Sequence, residues 1–198
     1  LLEQRLGEDV VLGGLRIKPL RGVVIVYGLV ISHRSTDPDK DARTIAAVDR
    51  VVLRFGVSDR KPGLTQIDLY HPVLKLHADE DGLREFRNAS RADEPAERFP
   101  WRGLIVRDGE VTVTGPAFDV VLEDITIEQW DGLTDLRVSE LSLAAAGLNQ
   151  TSQDLSLEDI QLAPGRVLVP ELYLPLTDFL VEGDLSVMPG GELRGELS

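Results

Sequence analysis

Three groups of residues have side chains that could do chemistry, and their spacing decides whether they do. Asp37, Asp39 and Asp41 fall two apart in the stretch HRSTDPDKDAR, the opening spacing of a calcium loop. Such a loop then needs Gly at its sixth position and Glu at its twelfth, and the chain has Ala42 and Val48 there. The segment reads instead as a solvated loop, where Asp is common because it bonds its own backbone. His71 and His77 share one strand phase, with Asp79 beyond them. Six strand positions span about 20 Å, too far for two ligands of one ion.

Carboxylates are the third group. With 34 Asp and Glu in 198 residues, pairs that resemble a glycosidase acid and base arise by chance. The adjacent pairs Glu123-Asp124 and Glu158-Asp159, like Ser139-Glu140 and Pro170-Glu171, all fall at the centres of strand-like repeats. They read as polar residues at a kink. The chain has no G-x-S-x-G elbow, P-loop, H-E-x-x-H or dinucleotide fingerprint, and only three histidines. Asn88-Ala89-Ser90 and Asn149-Gln150-Thr151 match glycosylation sequons of the kind that recur by chance. The expectation is a protein that is not an enzyme, with no catalytic, cofactor-binding or metal-binding residues.

The elements that would position any site follow from a hydrophobic pattern repeated four times: apolar, any, apolar, any, any, apolar, any, apolar. The copies are Val120, Leu122, Ile125, Ile127; Leu136, Val138, Leu141, Leu143; Leu155, Leu157, Ile160, Leu162; and Val167, Val169, Leu172, Leu174. On a helix, at about 100° per residue, such positions scatter around the cylinder. Alternation by two is the strand period, and the single step of three is expected to switch the apolar face, as a bulge or kink does. The copies start 16, 19 and 12 residues apart, which makes a meander of kinked strands rather than a solenoid of fixed period.

The rest of the chain follows the same grammar. Leu1, Leu2 and Leu6 read as a short helix ended by Gly7. Val10 and Leu12 alternate, Gly13-Gly14 reads as a turn, and Val23 to Ile31 is a strand apolar on both faces, expected to be covered on each side, one of them by that helix. Ile67 and Leu69 fall on one phase and Leu74 and Leu76 on the other. Pro72 lies between, which places a bulge or an edge there. A short helical turn is expected near residues 83–90, and Asp108-Gly109 reads as a hairpin turn between Val106 and Val111.

Composition narrows the partners. The net charge of -13 disfavours nucleic acid and anionic membrane surfaces, and 5% aromatic content leaves few stacking platforms. No cysteine is present, so disulfides and thiolate sites are excluded. No run of 18 apolar residues spans a bilayer. The chain begins without Met and ends at GGELRGELS, and so reads as a piece of a longer protein.

The stretches LLEQRLGEDVVLGGLRIKPLRGVVIVYGLVI, AAVDRVVLRFGV, IDLYHPVLKLHADEDG, FPWRGLIVRDGEVTV and FDVVLEDITIE, in that order, resemble the N-terminal region of the AsmA-like proteins, the group that includes TamB. The resemblance covers about residues 1 to 130 and matches the segment that follows the membrane anchor in that family. It implies a bacterial periplasmic protein held to the inner membrane by an upstream anchor not in this sequence. It also implies a long β-groove that conducts phospholipid acyl chains toward the outer membrane in outer-membrane biogenesis. An outer-membrane barrel partner of the translocation and assembly type would act through regions that are not in this sequence.

The combined expectation is a mainly β fold: an elongated, twisted antiparallel sheet forming a taco-like groove, with the short N-terminal helix and the helical turn. Residues 1–98 would form an N-terminal AsmA-like module and 99–198 a repeated-strand groove segment. The groove-lining positions expected are Val111, Val113, Val120, Leu122, Leu136, Val138, Leu155 and Leu157. The other reading is a structural β-sandwich, filled by its own Leu and Val, acting as a scaffold or docking module.

Overall fold

A chain that alternates apolar and polar residues over most of its length has one economical solution, which is to pair each strand with the next. The computed structural model describes residues 8–33, 43–58, 61–79, 82–83, 102–130, 133–145, 148–163, 166–175, 180–187 and 193–194. The strands are β1 (Glu8–Lys18), β2 (Val23–His33), β3 (Arg43–Ser58), β4 (Lys61–Asp79), β5 (Gly82–Leu83), β6 (Gly103–Thr114), β7 (Phe118–Trp130), β8 (Leu133–Ala145), β9 (Leu148–Ala163), β10 (Arg166–Pro175), β11 (Leu180–Val187) and β12 (Leu193–Arg194). They form one open sheet in the order β1-β2-β3-β4-β6-β7-β8-β9-β10-β11-β12, with β5 paired to β4. The two ends of that order do not meet. The closed, self-filled sandwich is therefore not the arrangement of the described strands.

Most neighbours are antiparallel, as the hairpin connections require. The exception is β4 and β6, which are parallel from Gln66 opposite Gly103 to His77 opposite Thr114. The sheet is mixed rather than purely antiparallel, and its ladder runs without a break across the junction between the two expected segments. A parallel neighbour needs a crossover, and the chain between Asp79 and Gly103 supplies its length.

Several local expectations are corrected. Gly13-Gly14 is not a turn, because β1 runs through it. The β1–β2 reversal is instead a one-turn 3₁₀ segment, Pro19–Arg21, closed by Gly22 in the left-handed region at φ 58°. Asp108-Gly109 is not a hairpin turn either and sits in the middle of β6. Leu83 pairs with Ala78 as a strand residue rather than opening a helical turn. Residues Leu1–Gly7, the Asp37–Asp41 loop, residues 84–90 and the Asn88 sequon lie outside the described residues. No described side chain from Val23 to Ser32 in β2 is fully buried, and Tyr27 is 38% exposed. A single layer leaves each face of that strand only partly covered.

Candidate functional site

The feature that organises the sheet is a line of left-handed backbone crossing it. Gly28, His71, Asp108, Asp124 and Asp154 have φ of 58°, 49°, 54°, 51° and 59° in β2, β4, β6, β7 and β9. Their places in the ladders coincide. Gly28 lies opposite Gly13, between the pairs Leu12–Leu29 and Gly14–Tyr27. Asp49 lies opposite His71, between Val48–Pro72 and Arg50–Tyr70. Asp124 lies opposite Ser139, between Glu123–Glu140 and Ile125–Val138. Ser139 in turn faces Asp154, between Val138–Leu155 and Glu140–Gln153. One crease thus passes through eight successive strands. For an L-residue the left-handed region costs about 1–2 kcal/mol, least for Gly, Asp and Asn, and His is also enriched there. The residue types along the crease are those that tolerate it.

The crease explains the step of three. At each kink a left-handed residue and its neighbour together occupy one place on the outer face. The alternation is shifted by one, and the apolar side chains before and after the kink project to the same side. Leu122 and Ile125 stand on opposite sides of the crease in β7. Both belong to one cluster, in which Ile125, Val138 and Leu155 are buried and Val111, Ile127, Leu136, Leu141, Leu157 and Leu174 pack around them. The expected switch of faces does not occur, because the kink cancels it. Pro72 follows left-handed His71 at this same line, so the proline sits at a kink inside a central strand rather than on an edge.

The consequence is an aliphatic face that runs without interruption from β1 to β8. Below the crease, a single cross-strand row reads Leu15, Val26, Val51, Leu69, Val106, Ile127, Leu136, Leu157. Above it a second row reads Val10, Ile31, Ala46, Leu74, Val111, Leu122, Leu141 and ends on Ser152. Of the eight positions expected to line a groove, Val111 and Leu122 are in the upper row and Leu136 and Leu157 in the lower. Val138 and Leu155 face one another at the crease, and Val113 and Val120 pair one row further out. All eight share one face. Sequence reasoning missed the β1–β4 share of that face, and Val106 in β6, which have the same alternation and extend it to the far edge.

Bending along the crease turns the two rows toward each other, and that is how a single layer buries side chains. The effect is graded. Val138 is 1% exposed and Ile125 4%, whereas Leu12, Leu15 and Ile17 at the β1 end are 53%, 60% and 60% exposed. In β6, Gly109 lets Ile125 approach, since a Cβ there would meet Ile125 Cβ at 3.3 Å and Val106 Cγ1 at 3.2 Å. The Asp108-Gly109 pair therefore supplies a left-handed residue and a gap for packing, which is a bulge, with register shifts on either side of Gly109.

The other face carries the charge. Glu123, Asp124, Glu140 and Asp154 are exposed along the outer ridge of the crease. His71 Nε2 lies 3.3 Å from Asp108 Oδ2, both side chains being exposed. Asp159, also left-handed, donates its N–H to Asp135 Oδ1 at 3.1 Å and marks a second, shorter kink beside the register shift in β10. The paired carboxylates thus sit at kinks on a convex surface, not in a cleft. The one buried acid among the described residues of this face, Asp68, is saturated. Its Oδ2 accepts from Arg54 Nη2 at 3.0 Å and Nε at 3.2 Å, and its Oδ1 from Gln66 Nε2. Arg50 stacks over Tyr70 at 3.8 Å beside it.

Among the described residues no three His, Cys, Asp or Glu are grouped to hold a metal ion, and no helix is long and apolar enough to cross a membrane. A hollow of about 280 Å³ lies between the ends of β3, β4 and β6, away from the crease, lined by Thr44, Lys75, Leu76, His77, Thr112 and Thr114. The geometry offers an apolar trough, open at one end and tight at the other, and among the described residues no reacting group within it. Neither the models of known protein families nor the curated proteins match this sequence.

Proposed function

We propose that this chain is part of an AsmA/TamB-like protein of the bacterial periplasm, anchored to the inner membrane elsewhere in its length, and that its creased face carries phospholipid acyl chains between the inner and outer membranes. The observation that carries the reading is the pair of apolar rows on either side of the crease, both unbroken from β1 to β8. Eight strands at about 4.8 Å spacing give the trough a length of about 34 Å, against about 15 Å for the hydrocarbon depth of one leaflet. An acyl tail lying along the crease is held by about 0.8 kcal/mol per buried CH₂, and its headgroup stays in water at the trough mouth. The lower row is aliphatic across all eight strands and the upper from β1 to β8, so a tail moving by one strand there exchanges one contact for an equivalent one. No residue dominates, which agrees with the lack of any reactive cluster in the trough.

The reading is tested on the 198-residue chain purified without detergent. Native mass spectrometry with lipid extraction is expected to find phospholipid in fixed stoichiometry. A phospholipid with a photoreactive acyl tail should label Leu12, Leu15, Leu69 or Val106 on the creased face. A lipid-free chain that is labelled only on the outer face would overturn the proposal.

A further inference from the structure

The edge of β1 that faces away from β2 is complementary to itself. Strand β1 ends the sheet order, so among the described residues its outer backbone groups face no strand. Edges of soluble proteins are commonly blunted by charge or proline, and the centre of this one, Val10 to Leu15, has neither. It is also apolar on both faces, with Val11 61% exposed on the outer side and Leu12 and Leu15 exposed on the creased side.

The crease sets the symmetry. Because Gly13-Gly14 absorbs the step of three, Val10 and Leu12 before it and Leu15 and Ile17 after it lie on the same face, as their partners Ile31, Leu29, Val26 and Val24 in β2 do. A second β1, antiparallel and related by a two-fold axis at Gly13-Gly14, would set Leu12 against Leu15, Val10 against Ile17 and Val11 against Arg16. Asp9 would meet Lys18 at both ends. Opposite residues of an antiparallel pair must share a face, and every one of these pairs does. A strand without the crease could not satisfy that condition in this register, since residues an odd number of positions apart would point to opposite faces. The charges are complementary twice over, and the crease of one copy continues into that of the other.

We propose that β1 is a homodimer interface, formed by antiparallel pairing of β1 with β1 of a second copy about Gly13-Gly14. The pairing joins two sheets edge to edge and gives them one continuous apolar face. It is isologous, so it closes at two copies and does not propagate.

The chain has no native cysteine, so single-cysteine variants report the register directly. Mixing V11C with R16C and oxidising should give the mixed disulfide, with little V11C–V11C product. In this register two copies of position 11 stand five positions apart, about 17 Å, beyond the roughly 7 Å that a disulfide spans. Sedimentation of the unmodified chain should show a concentration-dependent monomer–dimer equilibrium. K18E should weaken it about tenfold by setting like charges together twice, and D9K/K18E should restore it. A chain monomeric at every concentration, a dimer indifferent to K18E, or disulfides without preference for the mixed pair would each overturn the proposal. These readouts involve no lipid affinity, so they stand or fall apart from the lipid-carrying reading.

Discussion

The two ends of the crease use different residues for the same bend. At the β1–β2 end the line passes through Gly13 and Gly28, and the side chains beside it, Leu12, Leu15 and Ile17, are more than half exposed. At the β7–β9 end it passes through Asp124, Ser139 and Asp154, and the side chains beside it, Ile125, Val138 and Leu155, are almost wholly buried. Glycine bends the backbone and presents nothing to either face. Aspartate bends it at similar cost and also places a charge on the convex side, so that the concave side is the one that closes. The contrast implies that stability resides at the aspartate end, and that the glycine end is left open for contact with something else.

The sharpest test of that contrast is a buried charge at each end. Val138→Asp should cost at least about 4 kcal/mol, because it places a carboxylate in the aliphatic cluster without a partner. Leu15→Asp should stay within about 0.5 kcal/mol. Urea midpoints measure both, and equal losses would abolish the distinction. Next in size is the packing gap. Gly109→Val drives methyl groups into Val106 and Ile125 and should cost about 2 kcal/mol. Gly63→Val, where a Cβ meets nothing within 4 Å, should leave the midpoint unchanged or raise it. The smallest effects separate backbone from charge along the crease. Gly28→Ala and Asp124→Ala should each cost about 1 kcal/mol, since Ala resists the left-handed region, while Asp124→Asn should cost less than about 0.5 kcal/mol. A loss on Asp124→Asn matching that on Asp124→Ala would mean that charge, not conformation, holds the bend.

The strand grammar was legible because its period is local: Val120, Leu122, Ile125 and Ile127 state both the alternation and the place where it slips. What the slip does was not legible. A step of three read along one strand implies a change of face, and only the left-handed φ of Asp124 turns it into a preserved face. Asp108-Gly109 shows the same limit. Its sequence announces a positive φ, which a hairpin and a bulge both require, and the choice between them is made by the length of strand available in β7 opposite. Gly13-Gly14 resembles a turn in sequence for the same reason. The parallel pairing of β4 with β6 left no mark in either strand, because it depends on a return of the chain over residues 80–102.

That one parallel pair also divides the route by which the molecule reaches its final form. Every other ladder joins strands adjacent in sequence, which can zip from their turns on the microsecond scale of hairpins. The β4–β6 ladder brings together residues a constant 37 positions apart, Gln66 with Gly103 through to His77 with Thr114. No turn seeds it, and the entropy of closing that loop must be overcome before its first contact is made. The chain should therefore assemble as two separately nucleated meanders whose joining is the slow kinetic phase. Until they join, two further unpaired edges, those of β4 and β6, are open to misassociation.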